Sequence, residues 1–429
     1  MVKIIKNSLA LFTGFGLIMI AIGLQANLLG VRAVIEDFNF ISTGIIMSGY
    51  FVGFFVGSII VPNLVYRVGH VRVFAAFASL ASLSILIHSI FVDPIVWTVA
   101  RFLTGFSMIG IFIITESWLN DRANNRTRGK LLSIYMIITF VCLAGGSLLL
   151  NFNNPKNFEP FILISLLLSL ALVPILLTKR KAPKFKKLKT MKLDELYKAS
   201  PFGVISSFFT GSIHSVIFTL TAVYAASINF SIFEISLLLF LITIAGASAQ
   251  WPIGYLSDKY DRRLIIIICT IFGTFFALAC IYISGDSLQY MYLSTNVISS
   301  KLTFFIFIIL YAGMSLPLYS LNLAHTNDFI SKEKFVAAGG GLQIIFSLGS
   351  IGGPILCSAF MYLYGPNGFF IFLSIFHFII FIFGIYRITR RPARNNPDST
   401  FTPLPRNITP LGIELDPSTA ADLSSTEKK

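Results

Sequence analysis

The fold is decided around ten residues, Gly254-Tyr-Leu-Ser-Asp-Lys-Tyr-Asp-Arg-Arg263, which form a short charged stretch between two long apolar runs. Both charge signs are crowded into this turn, whereas the run that follows it, Leu264–Ser284, carries no charged residue. About 20 apolar residues are enough for a helix to cross the hydrocarbon core of a bilayer. The stretch therefore predicts a junction between two membrane-spanning helices.

Composition excludes several classes of protein. The 429 residues are 55% hydrophobic and 12% charged, whereas about 25% of the residues in a soluble domain are charged. The net charge of +14 would suit nucleic acid, but the basic residues lie in short loops and not on one face. We find no P-loop, metal-ligand cluster or catalytic set. We therefore predict no enzyme activity, cofactor, metal or ATP use.

Twelve apolar runs long enough to span a membrane follow one another along the chain. Helices are the expected state, because lipid cannot satisfy free backbone N–H and C=O groups. The predicted fold is an all-α integral membrane protein. The predicted spans are Leu9–Leu29, Ser42–Asn63, Val73–Phe91, Ile95–Trp118, Leu131–Leu150, Pro160–Leu177, Phe202–Ile228, Phe233–Leu256, Leu264–Ser284, Leu302–Ala324, Val336–Tyr362 and Gly368–Tyr386.

Charge predicts the orientation. With the N-terminus inside, 29 of the 33 Lys and Arg residues fall in inner segments, three fall in outer loops, and Arg101 lies within a span. This positive-inside asymmetry, with an even number of spans, predicts that both termini lie in the cytoplasm, and the expected location is the inner or plasma membrane. The predicted domains are a first six-helix bundle (1–178), a basic cytoplasmic linker (179–200), a second six-helix bundle (201–387) and a polar, proline-rich tail expected to be disordered (388–429).

The charged stretch resembles the loop signature of the major facilitator superfamily, Gly-x-x-x-Asp-Arg/Lys-x-Gly-Arg-Arg. The matching residues are Gly254, Asp258, Lys259, Arg262 and Arg263. Asp261 stands where the signature has its second Gly. A degraded copy, Pro62–His70, follows the second span, and in it Arg67 and Gly69 match.

A second resemblance covers the fourth span and the start of the fifth. Arg101-Phe-Leu-Thr-Gly105 is similar to the superfamily's Arg-x-x-x-Gly stretch. Glu116–Asn120, Arg126–Lys130 and Ala249–Gly254 resemble the YcaD-like subgroup. The resemblance implies two pseudo-symmetric six-helix bundles that move a small solute by alternating access.

The signature loop is a candidate gate. Asp258 and Arg262 are able to pair with each other and with a neighbouring helix end, which would latch the inner side. The alternative is that inner positive charge only orients the helices. The predicted gating residues are Gly254, Asp258, Lys259, Arg262, Arg263, Glu116 and Arg67.

Two charges inside spans are the next candidates. Arg101 is costly in lipid, so it either lines a cavity on the substrate or proton path or snorkels to the interface. Glu116 is the only acid well inside a predicted span, since the other carboxylates fall in loops or at helix ends. It is a candidate for proton coupling, and the alternative is an inner-gate salt bridge to Arg67, Arg72 or Arg128.

Polar residues on the spans complete the candidate pathway. Such side chains usually face the bundle interior, where they contact ligand or link helices to one another. With Arg101, the set is Gln25, Asn27, His214, Tyr224 and Asn322.

The predicted function is transmembrane transport of a small solute by a uniporter or secondary transporter, with proton coupling and direction left open. The expected partners are the solute and membrane lipid, and the expected state is a monomer. One alternative is a flippase for lipids or lipid-linked solutes on the same fold. Another is a membrane sensor or scaffold that acts through the tail.

Overall fold

The computed structural model describes residues 2–177, 190–290, 297–392 and 399–419, without the side chains of 2–7, 285–290 and 297–300. Within these ranges, twelve helical segments are long and apolar enough to cross a membrane, which confirms the predicted fold class. The helices are α1 Val2–Ile35, α2 Phe40–Val68, α3 His70–Ile90, α4 Pro94–Arg122, α5 Arg128–Leu148, α6 Glu159–Leu176, α7 Leu193–Ala199, α8 Pro201–Ser227, α9 Ile232–Lys259, α10 Arg262–Tyr290, α11 Val297–Ser315, α12 Leu318–Asn327, α13 Phe335–Tyr364, α14 Gly368–Arg390 and α15 Pro410–Ile413.

The two halves, α1–α6 and α8–α14, are built alike. The backbones of α1 and α5 cross closely at Gly23 and Gly146, where an added Cβ would overlap a carbonyl of the facing helix. In the second half, α8 and α13 cross in the same reciprocal way at Gly211 and Gly349. Glycine permits this approach because it has no Cβ. The repeated crossing is the packing expected of two pseudo-symmetric bundles.

The tenth span is broken, where the sequence predicted one continuous helix over Leu302–Ala324. The first piece, α11, ends at Ser315, and α12 begins after Pro317. Proline lacks the N–H that a continuous helix needs, and its ring clashes with the preceding turn. The Ser315 carbonyl accepts a hydrogen bond from His214 Nε2 at 3.0 Å. A buried histidine on α8 therefore supplies a hydrogen-bond donor at the break.

The last part of the chain corrects the prediction of a disordered tail. The final span helix, α14, continues to Arg390, and residues 399–419, here called the tail segment, are packed against the bundle. Its apolar side chains are almost fully buried at Leu404, Ile408, Ile413 and Leu415. These residues recur every two to five positions between the prolines and polar residues. The overall polar composition hides this apolar face.

The halves meet directly at one end of the bundle. The end that carries the α2–α3, α4–α5 and α9–α10 connections is called the basic end, and the other is the opposite end. Near the opposite end, Asn151 after α5 donates to Ser236 Oγ on α9 at 2.7 Å, and Gly44 on α2 packs on Ser358 of α13. At the basic end, the tail segment stands between α4 and α13. The described conformation is therefore closed at the opposite end and plugged at the basic end.

Candidate functional site

A central cavity lies between the halves. Its lining from the first half includes Tyr50, Phe54 and Phe112, and its lining from the second half includes Phe346 and Ser350. Its volume is about 50 Å³, and Arg406 and Asn407 of the tail segment also line it. A larger cavity of about 330 Å³ lies between α2, α4 and α13, bounded by Thr409–Leu411 of the tail segment. Both cavities draw walls from the two halves and from the tail segment.

Arg101 lies behind the wall of the central cavity. Its guanidinium carbon is 4.8 Å from the centroid of the Tyr50 ring, which is cation–π geometry. The side chain is buried, and its Nε has no hydrogen-bond partner. The structure thus brings Arg101 next to a cavity-lining residue, although Arg101 is not itself part of the lining.

Arg406 is the charged group that the tail segment inserts between the halves. Its guanidinium lies 3.5 Å from the centroid of the Phe218 ring, and its Nη1 donates to the His214 carbonyl at 3.2 Å. Burial is the main cause that lowers the pKa of Arg406 to about 10. The charge of Arg101 lowers this pKa further, whereas Tyr50 acts to raise it. The guanidinium is therefore held mainly by an aromatic face and a backbone carbonyl.

Glu116 binds the tail segment rather than an arginine. Its Oε2 accepts hydrogen bonds from the backbone N–H of Thr409 and of Gly412, both at 3.0 Å, and from the Thr409 hydroxyl. Its Oε1 accepts from Tyr135 Oη at 2.9 Å. One turn further on, the Asn120 side chain donates to the Leu411 carbonyl. Residues four apart share a helix face, so Glu116 and Asn120 hold one stretch of tail backbone together.

The predicted salt-bridge partners of Glu116 lie elsewhere. Arg67 is exposed at the end of α2. Arg128 Nη1 donates to the Glu414 carbonyl at 3.1 Å and to Thr419 Oγ1 at 3.3 Å. It therefore binds the tail segment as Glu116 does.

The signature loop forms a charge network within the second half, in which Arg262 and Asp328 are buried and Asp258 is exposed. Arg262 pairs with Asp258 at 2.8 Å and with Asp328, at the end of α12, at 2.5 Å. Its Nη2 also donates to the Ser399 carbonyl at 2.6 Å. The Asp258 carboxylate accepts from the Phe401 N–H at 2.9 Å. The paired charges predicted as a latch thus also hold the first residues of the tail segment.

The other predicted gating residues surround this network. Gly254 packs on the Phe401 ring so closely that an added Cβ would overlap it. Arg263 pairs with Asp261 at 2.8 Å. Lys259 is exposed, and its Nζ lies 4.4 Å from the centroid of the Tyr255 ring.

The predicted polar residues of the spans are buried but lie outside the central cavity lining. Asn27 donates to the Ser147 carbonyl on α5 at 3.2 Å, and Asn322 donates to Thr210 Oγ1 at 3.1 Å. Tyr224 is stacked on Phe369 inside the second half. Gln25 is buried on α1, and its Nε2 has no hydrogen-bond partner. In the described conformation, Asn27, Asn322 and His214 link helices.

Sequence reasoning missed the residues that line the cavity. Tyr50 and Phe346 are among 15 Tyr and 43 Phe, and an aromatic residue on a span has no periodic signal that marks it as cavity-facing. Arg406 and Thr409 lie in the stretch predicted to be disordered.

Comparison with known proteins identifies the family. The family model described as Major Facilitator Superfamily matches residues 10–300 and 202–420. The chain belongs to the major facilitator superfamily. As a member, it is a multi-pass membrane protein of a transporter family, and its fold and family support transmembrane transport.

Its curated relatives confirm the YcaD-like resemblance. The chain is 24% identical over 374 residues to the uncharacterized MFS-type transporter YcaD of Escherichia fergusonii, which covers 86% of this chain and 92% of that protein. It is 25% identical over 336 residues to an uncharacterized MFS-type transporter of Yersinia enterocolitica, covering 77% and 82%. A plasma-membrane location is consistent with these bacterial relatives.

Solved structures show the same fold at low identity. A bacterial homolog of the human lysosomal transporter Spinster, in an inward-facing and occupied conformation, aligns with a TM-score of 0.71 at 14% identity, covering 91% of this chain and 98% of that one. The nucleoside transporter NupG aligns at 0.70 and 12%, covering 89% and 98%. A D-xylose–proton symporter aligns at 0.67 and 11%, covering 88% and 97%.

Proposed function

We propose that this superfamily member moves a small solute across the membrane by alternating access, and that the solute binds in the central cavity. The observation that carries the proposal is the cavity wall, which combines Tyr50 and Phe112 of one half with Phe346 and Ser350 of the other. A site built from both halves is exposed to one compartment or the other as the halves rock. The described state, closed at the opposite end, is one of the two states that such a cycle needs.

The lining favours a solute with an apolar or ring face and a few polar groups. Phenyl and phenol rings come from four of the eight residues that line the cavity from the first half, and the second half contributes the hydroxyl and amide groups of Ser215, Ser350 and Gln343. Such walls suit stacking on a ring with hydrogen bonds at its edge. The solved neighbours include a nucleoside transporter and a D-xylose–proton symporter, and both classes of solute fit this chemistry.

The test is solute flux with purified protein in liposomes. A panel of nucleosides and sugars is offered with and without a pH gradient, and Tyr50→Leu is compared with Tyr50→Phe, which keeps the ring. We expect at least one solute to accumulate, with flux reduced about tenfold or more in Tyr50→Leu and largely kept in Tyr50→Phe. The proposal fails if a transported solute is handled equally well by all three proteins.

Proton coupling at Glu116 stays open and is tested in the same assay. If Glu116 carries the coupling proton, Glu116→Gln abolishes the response to a pH gradient. An unchanged gradient response removes Glu116 from coupling and leaves it only the tail contacts described above.

Orientation is part of the proposal. We propose that the basic end faces the cytoplasm, because 29 of the 33 Lys and Arg residues lie in segments on that side. A tag placed at Lys187 in the linker is then inaccessible from outside intact cells. Labelling of that tag by an impermeant reagent on intact cells would reverse the orientation.

A further inference from the structure

We propose that the tail segment, residues 399–419, is a docked plug: it binds between the two halves at the basic end, and it must leave before the halves can close there. Its docking site would be the face of α4 that carries Glu116 and Asn120, together with the signature loop. The docking rests on the contacts alone. The statement that docking blocks the pathway rests on the proposed function.

The tail segment is held at both halves. Its beginning is fixed to the second half, where Asp258 accepts the Phe401 N–H at 2.9 Å and the Phe401 ring covers Gly254. Eight to eleven residues further on, Thr409, Leu411 and Gly412 are bound by Glu116 and Asn120 of the first half. A segment that touches both halves keeps them apart at the point where it lies.

The first half carries a site that binds the peptide backbone of the tail segment. Glu116 is fully buried, and three of the four donors to its carboxylate come from the tail segment, with Tyr135 as the fourth. A buried carboxylate without donors is costly, and hydrogen bonds to a charged group are among the strong ones. Hydrogen bonds from the tail segment therefore stabilise the buried Glu116 side chain.

The tail segment reaches into the solute site. Arg406 and Asn407 line the central cavity beside Tyr50 and Phe346. The Arg406 guanidinium stacks on Phe218 at 3.5 Å. Solute and Arg406 would therefore compete for the same space, so docking and solute binding should exclude each other.

Docking also opposes the change of state. Closure at the basic end requires α4 to approach α13, yet Ile413 of the tail segment packs on Gly339 of α13 while Gly412 sits on Glu116. The tail segment fills the space that closure would remove. It therefore stabilises the state that is closed at the opposite end.

The first test measures protection of the cavity. In a full-length background with the four native cysteines replaced by alanine, Ser347→Cys is placed in the wall shared by both cavities and labelled with N-ethylmaleimide in nanodiscs. Thr409→Pro removes both donors of this residue to Glu116, whereas Thr409→Ser keeps both. We expect labelling at least tenfold faster with Thr409→Pro and unchanged with Thr409→Ser. Equal rates in all three proteins would overturn the proposal, whether or not a solute has been found.

The second test traps the plug. An ideal Cβ at Gly340 would lie 3.7 Å from the Pro410 Cβ, within the range of about 3.5–4.5 Å found in disulfides. In the cysteine-free full chain, Gly340→Cys with Pro410→Cys should form a disulfide on mild oxidation. The same chain also carries Ser347→Cys, and N-ethylmaleimide is added after oxidation. Position 347 should then stay protected from labelling until the disulfide is reduced. Absence of the disulfide, with each single variant folded, would overturn docking.

Discussion

Asp261 stands where the superfamily signature has glycine, and its contacts explain the exchange. It immediately precedes α10, and its Oδ1 accepts the backbone N–H of Arg263 at 3.0 Å, which is the contact of a helix N-cap. Its Oδ2 pairs with the Arg263 guanidinium at 2.8 Å. Burial acts to raise the pKa of Asp261, but hydrogen bonds and charge from Arg263 outweigh it and hold the pKa below its ordinary value of 3.8.

We predict that Asp261→Ala lowers the free energy of unfolding by about 0.5–2 kcal/mol, the usual cost of losing an N-cap. Because the pKa is depressed in the folded state, this stabilisation is fully present above the unfolded-state pKa of about 3.9 and is lost as pH falls through the lower folded value. Melting of the detergent-solubilised protein should show a constant difference from pH 8 to 5 that shrinks below about pH 4. Asp261→Asn, which can still cap, is the control. A difference that keeps growing on acidification would contradict this account.

The sequence could identify charged residues in spans but not their partners. Arg101 and Glu116 were selected because a charge in lipid is costly, and both are buried in the structure. The contacts of Glu116 lie 293 residues away at Thr409, and nothing local to either position reveals that pairing. Asn120 could have been found, because it lies on the same helix face as Glu116.

At the scale of elements, the break between α11 and α12 depends on a side chain from another helix. The helix is interrupted between Ser315 and Leu318, and His214 of α8 supplies a donor to the Ser315 carbonyl at 3.0 Å. A second histidine, His377 of α14, lies 3.2 Å from Ser315 Oγ. The break therefore ties α11 to α8 and α14.

We predict that His214→Ala lowers the free energy of unfolding by about 1–3 kcal/mol, because it leaves a buried carbonyl without its donor. His214→Asn keeps a side-chain N–H and should recover part of the loss. Thermal melting in detergent measures both variants. If His214 instead contacts solute, as its polarity suggested, His214→Ala would leave the melting temperature unchanged and weaken solute binding.

Element positions were the most predictable part of the fold. Each predicted span overlaps a described helix, because hydropathy over about 20 residues reflects the thickness of the bilayer. Several helices, such as α2 and α4, run longer than the apolar runs, since polar residues at their ends still satisfy backbone hydrogen bonds. The tail segment was missed because its apolar residues, such as Leu404 and Ile413, are diluted by proline and by polar residues. Such a pattern resembles disorder unless its docking site is known.

At the scale of the whole molecule, contacts at the two ends should depend on each other. The halves touch directly near the opposite end, as at Asn151 and Ser236, and through the tail segment at the basic end. If the halves rock about the central cavity, release of the tail segment should let the basic end close. The opposite end must then open.

The most direct test is a pair of interhalf distances measured by double electron–electron resonance in nanodiscs. In the cysteine-free background, spin labels at Tyr66 and Tyr260 report the basic end, and labels at Val92 and Tyr364 report the opposite end; all four positions are exposed. With Thr409→Pro, the account predicts a new population that is shorter at the basic end and longer at the opposite end, absent with Thr409→Ser. Distances that stay the same at both ends, or that change in the same direction, would contradict it.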